Sequence, residues 1–237
     1  MIPSASPAAI REMFGRIAPR YDLLNHLLSF NVDRYWRART VRRLAHILMR
    51  PEARVLDICC GSGDLLLAME ARRGGAVLGS DFCHPMLVAA RRKIARKRGH
   101  SVVFEADALR LPVASGSLDL VSVAFGLRNL AGVEAGLAEM LRVLKPGGAV
   151  AILEFSQPPN RLFRAGYTFY SKRLLPVIGG AVSGSREAYT YLPESVQRFP
   201  NAEELAERMR GAGFAEVGFE RMTGGIVALH VGRASAR

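Results

Sequence analysis

Residues 55–64 read VLDICCGSGD, and this stretch decides the fold. An apolar run leads to Asp57. A tight turn of small residues follows, built on Gly61, Ser62 and Gly63. An apolar, helix-like run then begins at once with Leu65, Leu66, Leu67, Ala68 and Met69. The pattern is that of a buried strand, a glycine loop and a helix start. Glycine has no Cβ, so a ligand can approach bare backbone at such a junction. A second acid, Asp81, closes the next apolar run, AVLGSDF. An acid about 20 residues past a glycine loop is placed to bind ribose hydroxyls at the tip of the second strand.

The details of the loop separate ligand classes. A dinucleotide fingerprint calls for a third glycine near position 66, where this chain has Leu66. A phosphate loop calls for Lys-Ser or Lys-Thr after the last glycine, where it has Asp64. Asp57 before the loop and Asp64 after it repel a pyrophosphate and suit a cation. S-adenosylmethionine carries an ammonium, a sulfonium and a ribose, and no phosphate. A methyl-donor site is therefore the first reading and a nucleotide-phosphate site the second.

With 237 residues, 49% of them hydrophobic, the chain can build one domain, or one domain with a lid. No run approaches the roughly 18 apolar residues of a membrane span. The start, MIPSASPAAI, lacks the basic and apolar pattern of a secretory signal, so a cytoplasmic protein with its first seven residues loose is expected. Cys59, Cys60 and Cys83 have no metal-ligand spacing, and adjacent cysteines are poor disulfide partners. They read as small packing residues in a reduced compartment. The formal net charge of +12 points to nucleic acid, an anionic membrane surface or an arginine-rich proteome. One basic patch contains Arg34, Arg37, Arg39, Arg42, Arg43 and Arg50. A second runs from Arg91 to Arg98 and reads equally as a solvated helix face.

Along the chain, residues 8–50 read as helices interrupted at Pro19. Strand candidates RVLDIC, AVLGSDF, SVVFEAD, LDLVSVAF and AVAILEF then alternate with helices near 64–73, 85–98 and 132–144. KPGG at 145–148 reads as a turn that closes the last of these helices. Residues 156–200 carry five prolines and read as irregular. Residues 201–232 read as helix, strand, a turn at Thr223, Gly224 and Gly225, and strand. This alternation predicts an α/β fold with a mostly parallel sheet covered on both faces, and a site at the carboxyl ends of its strands. The expected division is a helical cap over the acceptor site (1–50), a donor-binding core (51–155), an acceptor-side lid (156–200) and a C-terminal helix and strand pair that completes the sheet (201–237). Asp57, Asp81 and Asp107 end the first three strands. Three acids in order beside a glycine loop are hard to assign to packing, because buried unpaired carboxylates are costly.

Six stretches carry a closer resemblance. They are MFGRIAPRYDLLNHLLSF (13–30), VLDICCGSGDL (55–65), SDFCHPML (80–87), FGLRNL (125–130), RVLKPGGAVAILEFSQP (142–158), and the tail from YLPESVQRFP to GGIVALHVG (191–232). On these the chain resembles the UbiE/MenG (Coq5-type) quinone C-methyltransferase family. The resemblance implies a Rossmann-like class I methyltransferase with a seven-stranded sheet, using S-adenosylmethionine. It places donor contacts at Ser62, Asp81, Asp107 and Ala108. With the loop and its flanks, the expected donor site is Asp57, Gly61, Ser62, Gly63, Asp81, Phe82, Met86, Asp107, Ala108 and Ala124. Two positions depart from the family pattern. Ser62 replaces a threonine and keeps the hydroxyl. Ala124 stands where many members have serine, so one polar contact is absent or passes to backbone.

By resemblance, the acceptor is a polyprenyl quinol: demethylmenaquinol or a related benzoquinol. The ring must be reduced, because a quinone is too electron-poor to attack a methyl electrophile. Ionising a phenol of pKa ~10 at pH 7 costs roughly 4 kcal/mol. A positive charge or a hydrogen-bond donor at the oxyanion offsets this. Arg128 is the expected partner of that oxygen. Arginine is too weak a base to take the proton itself. Asn129 orients the ring oxygen and Tyr21 covers the acceptor. Each has a plainer alternative: an ion pair for Arg128, a helix cap for Asn129, a core aromatic for Tyr21. His26 and His230 are candidate bases better suited to core or surface roles.

A lipid tail needs an apolar groove. The stretch RLFRAGYTFYSKRLLPVIGGAV (161–182) mixes Leu162, Phe163, Tyr167, Phe169, Leu174, Leu175, Val177 and Ile178 with basic residues. It suits an anionic membrane surface, a lid over the protein's own core or a homodimer contact. A nucleic-acid methyltransferase is the main rival. Its Asn/Asp-Pro-Pro-aromatic motif after strand four is replaced here by AFGLRN, so no nucleic-acid partner is expected. A donor-binding module without chemistry and a dehydrogenase complete the alternatives.

Overall fold

The computed structural model describes residues 6–174 and 186–236. Its strands are β1 (Val55–Ile58), β2 (Leu78–Asp81), β3 (Val102–Glu105), β4 (Leu118–Ala124), β5 (Leu144–Phe155), β6 (Phe214–Met222) and β7 (Val227–Ala234). They form one sheet in the order β3-β2-β1-β4-β5-β7-β6. Pairings from β3 through β5 are parallel, and β7 runs antiparallel to both β5 and β6. The strand order turns back at β1, between β2 and β4. That switch point opens a crevice at the strands' carboxyl ends.

Every side chain of β1 is buried, as expected of a central strand with both faces covered. Period-2 alternation splits the strands between two cores. Leu56, Ile58, Val121, Val123, Val150 and Ile152 pack with Leu137, Met140, Leu205 and Met209. Val55, Leu120, Ala149, Ala151 and Leu153 pack on the other face with Trp36, Leu48, Leu66 and Met69. Each fully buried leucine contributes roughly 1.5–3 kcal/mol.

Residues 7–48 are helical apart from short turns: α1 (Pro7–Ile17), a 3-10 turn at Ala18–Arg20, α2 (Tyr21–Leu28), α3 (Val32–Arg43) and α4 (Ala45–Leu48). Ser6 caps α1 by accepting from the Ala9 N–H at 3.2 Å, so order begins before residue 8. The core helices are α5 (Asp64–Arg73), α6 (His84–Arg96) and α7 (Val133–Val143). Residues 145–148 do not form a separate turn. They lie within β5, where the register jumps from Leu118–Leu144 to Leu120–Ala149. Gly147 takes φ +74° in this bulge.

The 156–200 segment differs from its expected irregularity. It contains α8 (Arg161–Phe169), a π-helical turn at Tyr170–Leu174, and α9 (Arg186–Arg198) with Pro193 inside it. Asn160 caps α8 through the Phe163 N–H. Leu175, Val177 and Ile178 lie outside the described residues. Helix α10 (Ala202–Gly211) opens on a capping box between Asn201 and Glu204.

His230 belongs to the core. Its Nε2–H donates to the Ala202 carbonyl at 2.8 Å, tying β7 to α10. Its Nδ1 has no partner among the described residues. Burial pushes its pKa down to about 4. The unfolded chain, with a histidine pKa near 6.5, therefore binds the extra proton more readily. Stability should fall as pH drops from about 6.5 to 4, by roughly 3 kcal/mol from this group. Urea titrations of wild type and His230→Gln across that window should show the difference in slope.

Candidate active site

The strand tips, the loop after β1 and helix α1 enclose a cavity of about 470 Å³. Asp81 organises its floor. Its Oδ2 accepts from the Gly61 N–H at 2.8 Å and its Oδ1 from the Cys83 N–H at 2.9 Å. Burial pushes the carboxyl pKa up, and those backbone donors oppose the shift. Gly61 is left-handed at φ +55°, so the loop offers backbone without a Cβ. Phe82, Met86, Ala108 and Leu109 supply apolar wall. Asp107 stands at the rim, where its Oδ1 accepts from the Leu109 N–H.

Of the expected site residues, the structure brings Tyr21, Gly61, Asp81, Phe82 and Met86 to this cavity. Asp107, Ala108, Ala124 and Asn129 line it too. Asp57, Ser62 and Gly63 stand behind the wall. Asp57 accepts from the Ser122 hydroxyl at 2.6 Å, and burial pushes its pKa up to about 7. Gly63, at φ +85°, lets the loop lie on Ala90 of α6. The Ser62 hydroxyl donates to Asp22 of α2 and accepts from Lys93 of α6 at 3.2 Å.

That bond belongs to a charged network between cap and core. Lys93 also meets Asp22 at 2.5 Å and Asp64 at 2.6 Å. Arg37 pairs with Asp33 and reaches Asp64 at 3.4 Å. Asp33 accepts further from His26 at 2.8 Å and from Ser29 at 2.6 Å. Burial alone raises the pKa of Asp33, but these donors hold it below the usual carboxylate range. Lys93 and Arg37, read from sequence as members of surface patches, are thus spent inside the protein. His26, Asp33 and Asp64 bring ligand-type atoms within 4.8 Å of one another, yet Arg37 contacts both acids.

A second, smaller cavity of about 80 Å³ adjoins the first. Phe14, Tyr21 and Phe125 line both. Trp36, Phe125 and Phe155 form an aromatic wall, with ring centroids 4.7–6.2 Å apart. Burial keeps the Tyr21 phenol protonated by pushing its pKa up. Arg128 belongs to this second cavity and does not line the donor cavity. Its Nη1 donates to Glu154 at 2.7 Å and to the Phe125 carbonyl at 2.5 Å. The guanidinium lies over Phe155, 5.2 Å from the ring centroid. Its buried Nε has no partner among the described residues. The expected alternative, an ion pair, is present together with a place at the cavity wall. Asn129 does not cap the following helix, whose N-cap is Gly132. Its amide faces Phe125 and Tyr191.

Residues 1–50 also contribute to the first cavity. Pro7, Ala8, Arg11 and Glu12 of α1 wall the donor cavity. Sequence reasoning missed these residues, together with Glu154 and Tyr191. Glu154 sits in AVAILEF, where its charge in a buried strand was the available signal.

The donor cavity fits S-adenosylmethionine on its own chemistry. Its lining acids are Glu12, Asp81 and Asp107 against one base, Arg11, which suits a cation and not a pyrophosphate. Asp81 presents a buried carboxylate at the cavity floor, and Gly61 presents open backbone. Fold and site together define a class I, S-adenosylmethionine-dependent methyltransferase. Solved structures agree on the fold. The [4+2]-cyclase SpnF superposes with a TM-score of 0.73 at 17% identity, covering 100% of this chain and 99% of that one. A methyltransferase of Thermotoga maritima, described as a possible histamine N-methyltransferase, superposes at 0.64 with 20% identity, covering 94% and 99%. The chain belongs to the ubiE/COQ5 methyltransferase family, whose model matches residues 4–234. It is 51% identical over 222 residues to a demethylmenaquinone methyltransferase of Thermus thermophilus, covering 93% of this chain and 99% of that one. It is 44% identical to a ubiquinone/menaquinone biosynthesis C-methyltransferase of Syntrophotalea carbinolica, covering 94% and 92%.

Gly126 offers a direct probe of the donor cavity. A Cβ there would lie 2.4 Å from the Cys59 Cβ, and Cys59 itself holds φ +49° in the loop. Gly126→Ala should push the loop off Asp81. We expect at least a tenfold loss of S-adenosylmethionine affinity by titration calorimetry, with a lowered melting temperature.

Proposed function

We propose that the protein methylates a ring carbon of a polyprenylated hydroquinone, most simply demethylmenaquinol in menaquinone formation. The observation that carries this reading is the meeting of two cavities at Tyr21. One suits a cationic donor; the other is aromatic-walled and carries a fixed arginine. The names of the family's curated members support the same acceptor class. A nucleic-acid acceptor has no comparable support.

When bound, S-adenosylmethionine supplies the methyl group as an electrophile. Asp81, Gly61, Phe82, Met86, Asp107 and Ala108 would hold it. Asp57, Ser62 and Gly63 would act from behind, by fixing the loop. The chain's remaining task is to present an electron-rich ring. The aromatic wall of Trp36, Phe125 and Phe155 suits a flat ring. Arg128 and Asn129 would receive the ring oxygen as it ionises. Glu154 neutralises Arg128, so the guanidinium would act as a directed donor more than as a bare cation. Its unpartnered Nε is a buried donor that an acceptor oxygen would satisfy. The phenol of Tyr21 would cover the ring between the two cavities. Holding both reactants in register supplies much of the acceleration.

A lipid-tailed acceptor has to be reached at a membrane. No helix among the described residues is long and apolar enough to cross one. Helix α8 buries no residue at all, and Leu162 and Phe169 are 85% and 63% exposed. Phe30, 74% exposed, meets Tyr170 at 6.3 Å, and the Tyr170 hydroxyl donates to the Leu28 carbonyl. The turn after α2 and the turn after α8 thus adjoin, and Arg161 and Arg164 lie on α8 itself. This composition supports transient docking on an anionic leaflet from the cytoplasmic side, where a homodimer contact is the competing use.

Labelled S-adenosylmethionine offered with reduced demethylmenaquinone, its oxidised form or bulk RNA should label the reduced quinone alone. Label in RNA would sink the proposal. Arg128→Ala should keep its donor affinity while turnover falls about 10²-fold or more, the usual loss for an oxyanion donor. Equal loss of both would make Arg128 a purely structural residue. Sedimentation with vesicles of phosphatidylglycerol should carry down wild type. Phe30→Ser with Leu162→Ser should stay largely in solution while keeping donor affinity.

A further inference from the structure

The motif YLPESV (191–196) finds no use in donor binding or in the expected chemistry. Its first residue lies on α9, the lid helix, and lines the small aromatic cavity. It also lines a neighbouring one of about 280 Å³. Tyr191 packs among Met13, Ile17, Leu24 and Tyr21. Its hydroxyl donates to Asn129 Oδ1 at 3.0 Å.

Asn129 then donates from Nδ2 to the Phe125 carbonyl at 3.4 Å, and Arg128 Nη1 donates to the same carbonyl at 2.5 Å. Phe125 holds φ +59°, a left-handed conformation that a bulky residue adopts only when its surroundings impose it. Glu154 fixes Arg128 from the sheet side. The Phe125 N–H donates to the Leu153 carbonyl, also on the sheet side. Tyr191 is the hold on this turn that comes from the lid. An amide whose oxygen accepts from Tyr191 is fixed with its nitrogen toward Phe125, because the two ends of a carboxamide are not interchangeable. Burial keeps Tyr191 a phenol by pushing its pKa up.

We propose that Tyr191 is a positioning residue for methyl transfer: it couples the seating of α9 to the geometry of Asn129 and the strained turn at Phe125. The proposal rests on the reading that Asn129 serves the acceptor. It makes acceptor enclosure and assembly of the turn one event.

The test compares wild type, Tyr191→Phe, Asn129→Ala and the double variant. It reads donor affinity by calorimetry, melting temperature, and kcat and KM with reduced demethylmenaquinone. Tyr191→Phe keeps the ring and its packing, so donor affinity should be unchanged within about twofold and the melting temperature should fall by no more than the few degrees that one hydrogen bond contributes. Its kcat should fall about tenfold, the worth of one hydrogen bond, with little change in KM. In the Asn129→Ala background the same substitution should cost nothing further. An unchanged kcat in Tyr191→Phe, with Asn129→Ala impaired, overturns the coupling alone. A full tenfold loss added to that of Asn129→Ala also overturns it, since the two would then act independently. Full activity in Asn129→Ala would remove both the coupling and the assignment of Asn129.

Discussion

The carboxylate of Asp81 holds the donor side of this molecule together. It sits at the tip of β2, yet its hydrogen bonds reach the loop after β1 and the start of α6. Two backbone N–H groups that would otherwise face an empty crevice are satisfied by one side chain. The cost is a buried acid, and burial raises its pKa accordingly. Without that anchor the left-handed glycine at 61 has no reason to present its amide inward. The cavity between α1, the loop and the turn after β4 takes its shape from this point.

The cap is bound to the same loop from the other side. Asp22 on α2 and Lys93 on α6 meet at the Ser62 hydroxyl, while Arg37 on α3 joins Asp33 to Asp64 at the start of α5. Paired charges of this kind add little net stability, but removing one partner is expensive. Their value here is specificity of placement. Helices α1 and α2 share an apolar cluster with α9 and the turn after α8, and the ion pairs fix how that cluster sits on the sheet. Tyr21 reaches the boundary between the two cavities because α2 is held at its neighbour, Asp22.

Arg128 shows how one residue serves several contacts at once. It is a core ion-pair partner of Glu154, a cover for Phe155 and a wall of the aromatic cavity. A guanidinium has donors enough for all three, whereas a lysine ammonium could not span them. The neighbouring turn is strained at Phe125, and the same hydrogen bonds that position Arg128 and Asn129 also pay for that strain.

The sheet, its alternating helices and the strand-tip acids were legible in the sequence because they follow local rules. Strand burial has period two, a glycine loop permits left-handed backbone, and a buried acid demands a partner. Asp81, Gly61 and Asp107 could therefore be placed at the site from their neighbours in the chain. Local rules do not say what packs across the crevice. That Ser62 turns to Asp22, that Lys93 leaves its helix face for the interior, and that Asp57 is taken by Ser122 depend on groups 31 to 65 residues away. Helix α8 was hidden because it buries no residue and so shows no core face, and α9 because Pro193 interrupts its pattern. By itself, the sequence determined the α/β class and the acidic character of the donor site, which suits a cation. Only the tertiary structure decided which acids reach the cavity and which residues hold its aromatic side. Burial and pairing are set by distant partners, and no local pattern encodes them.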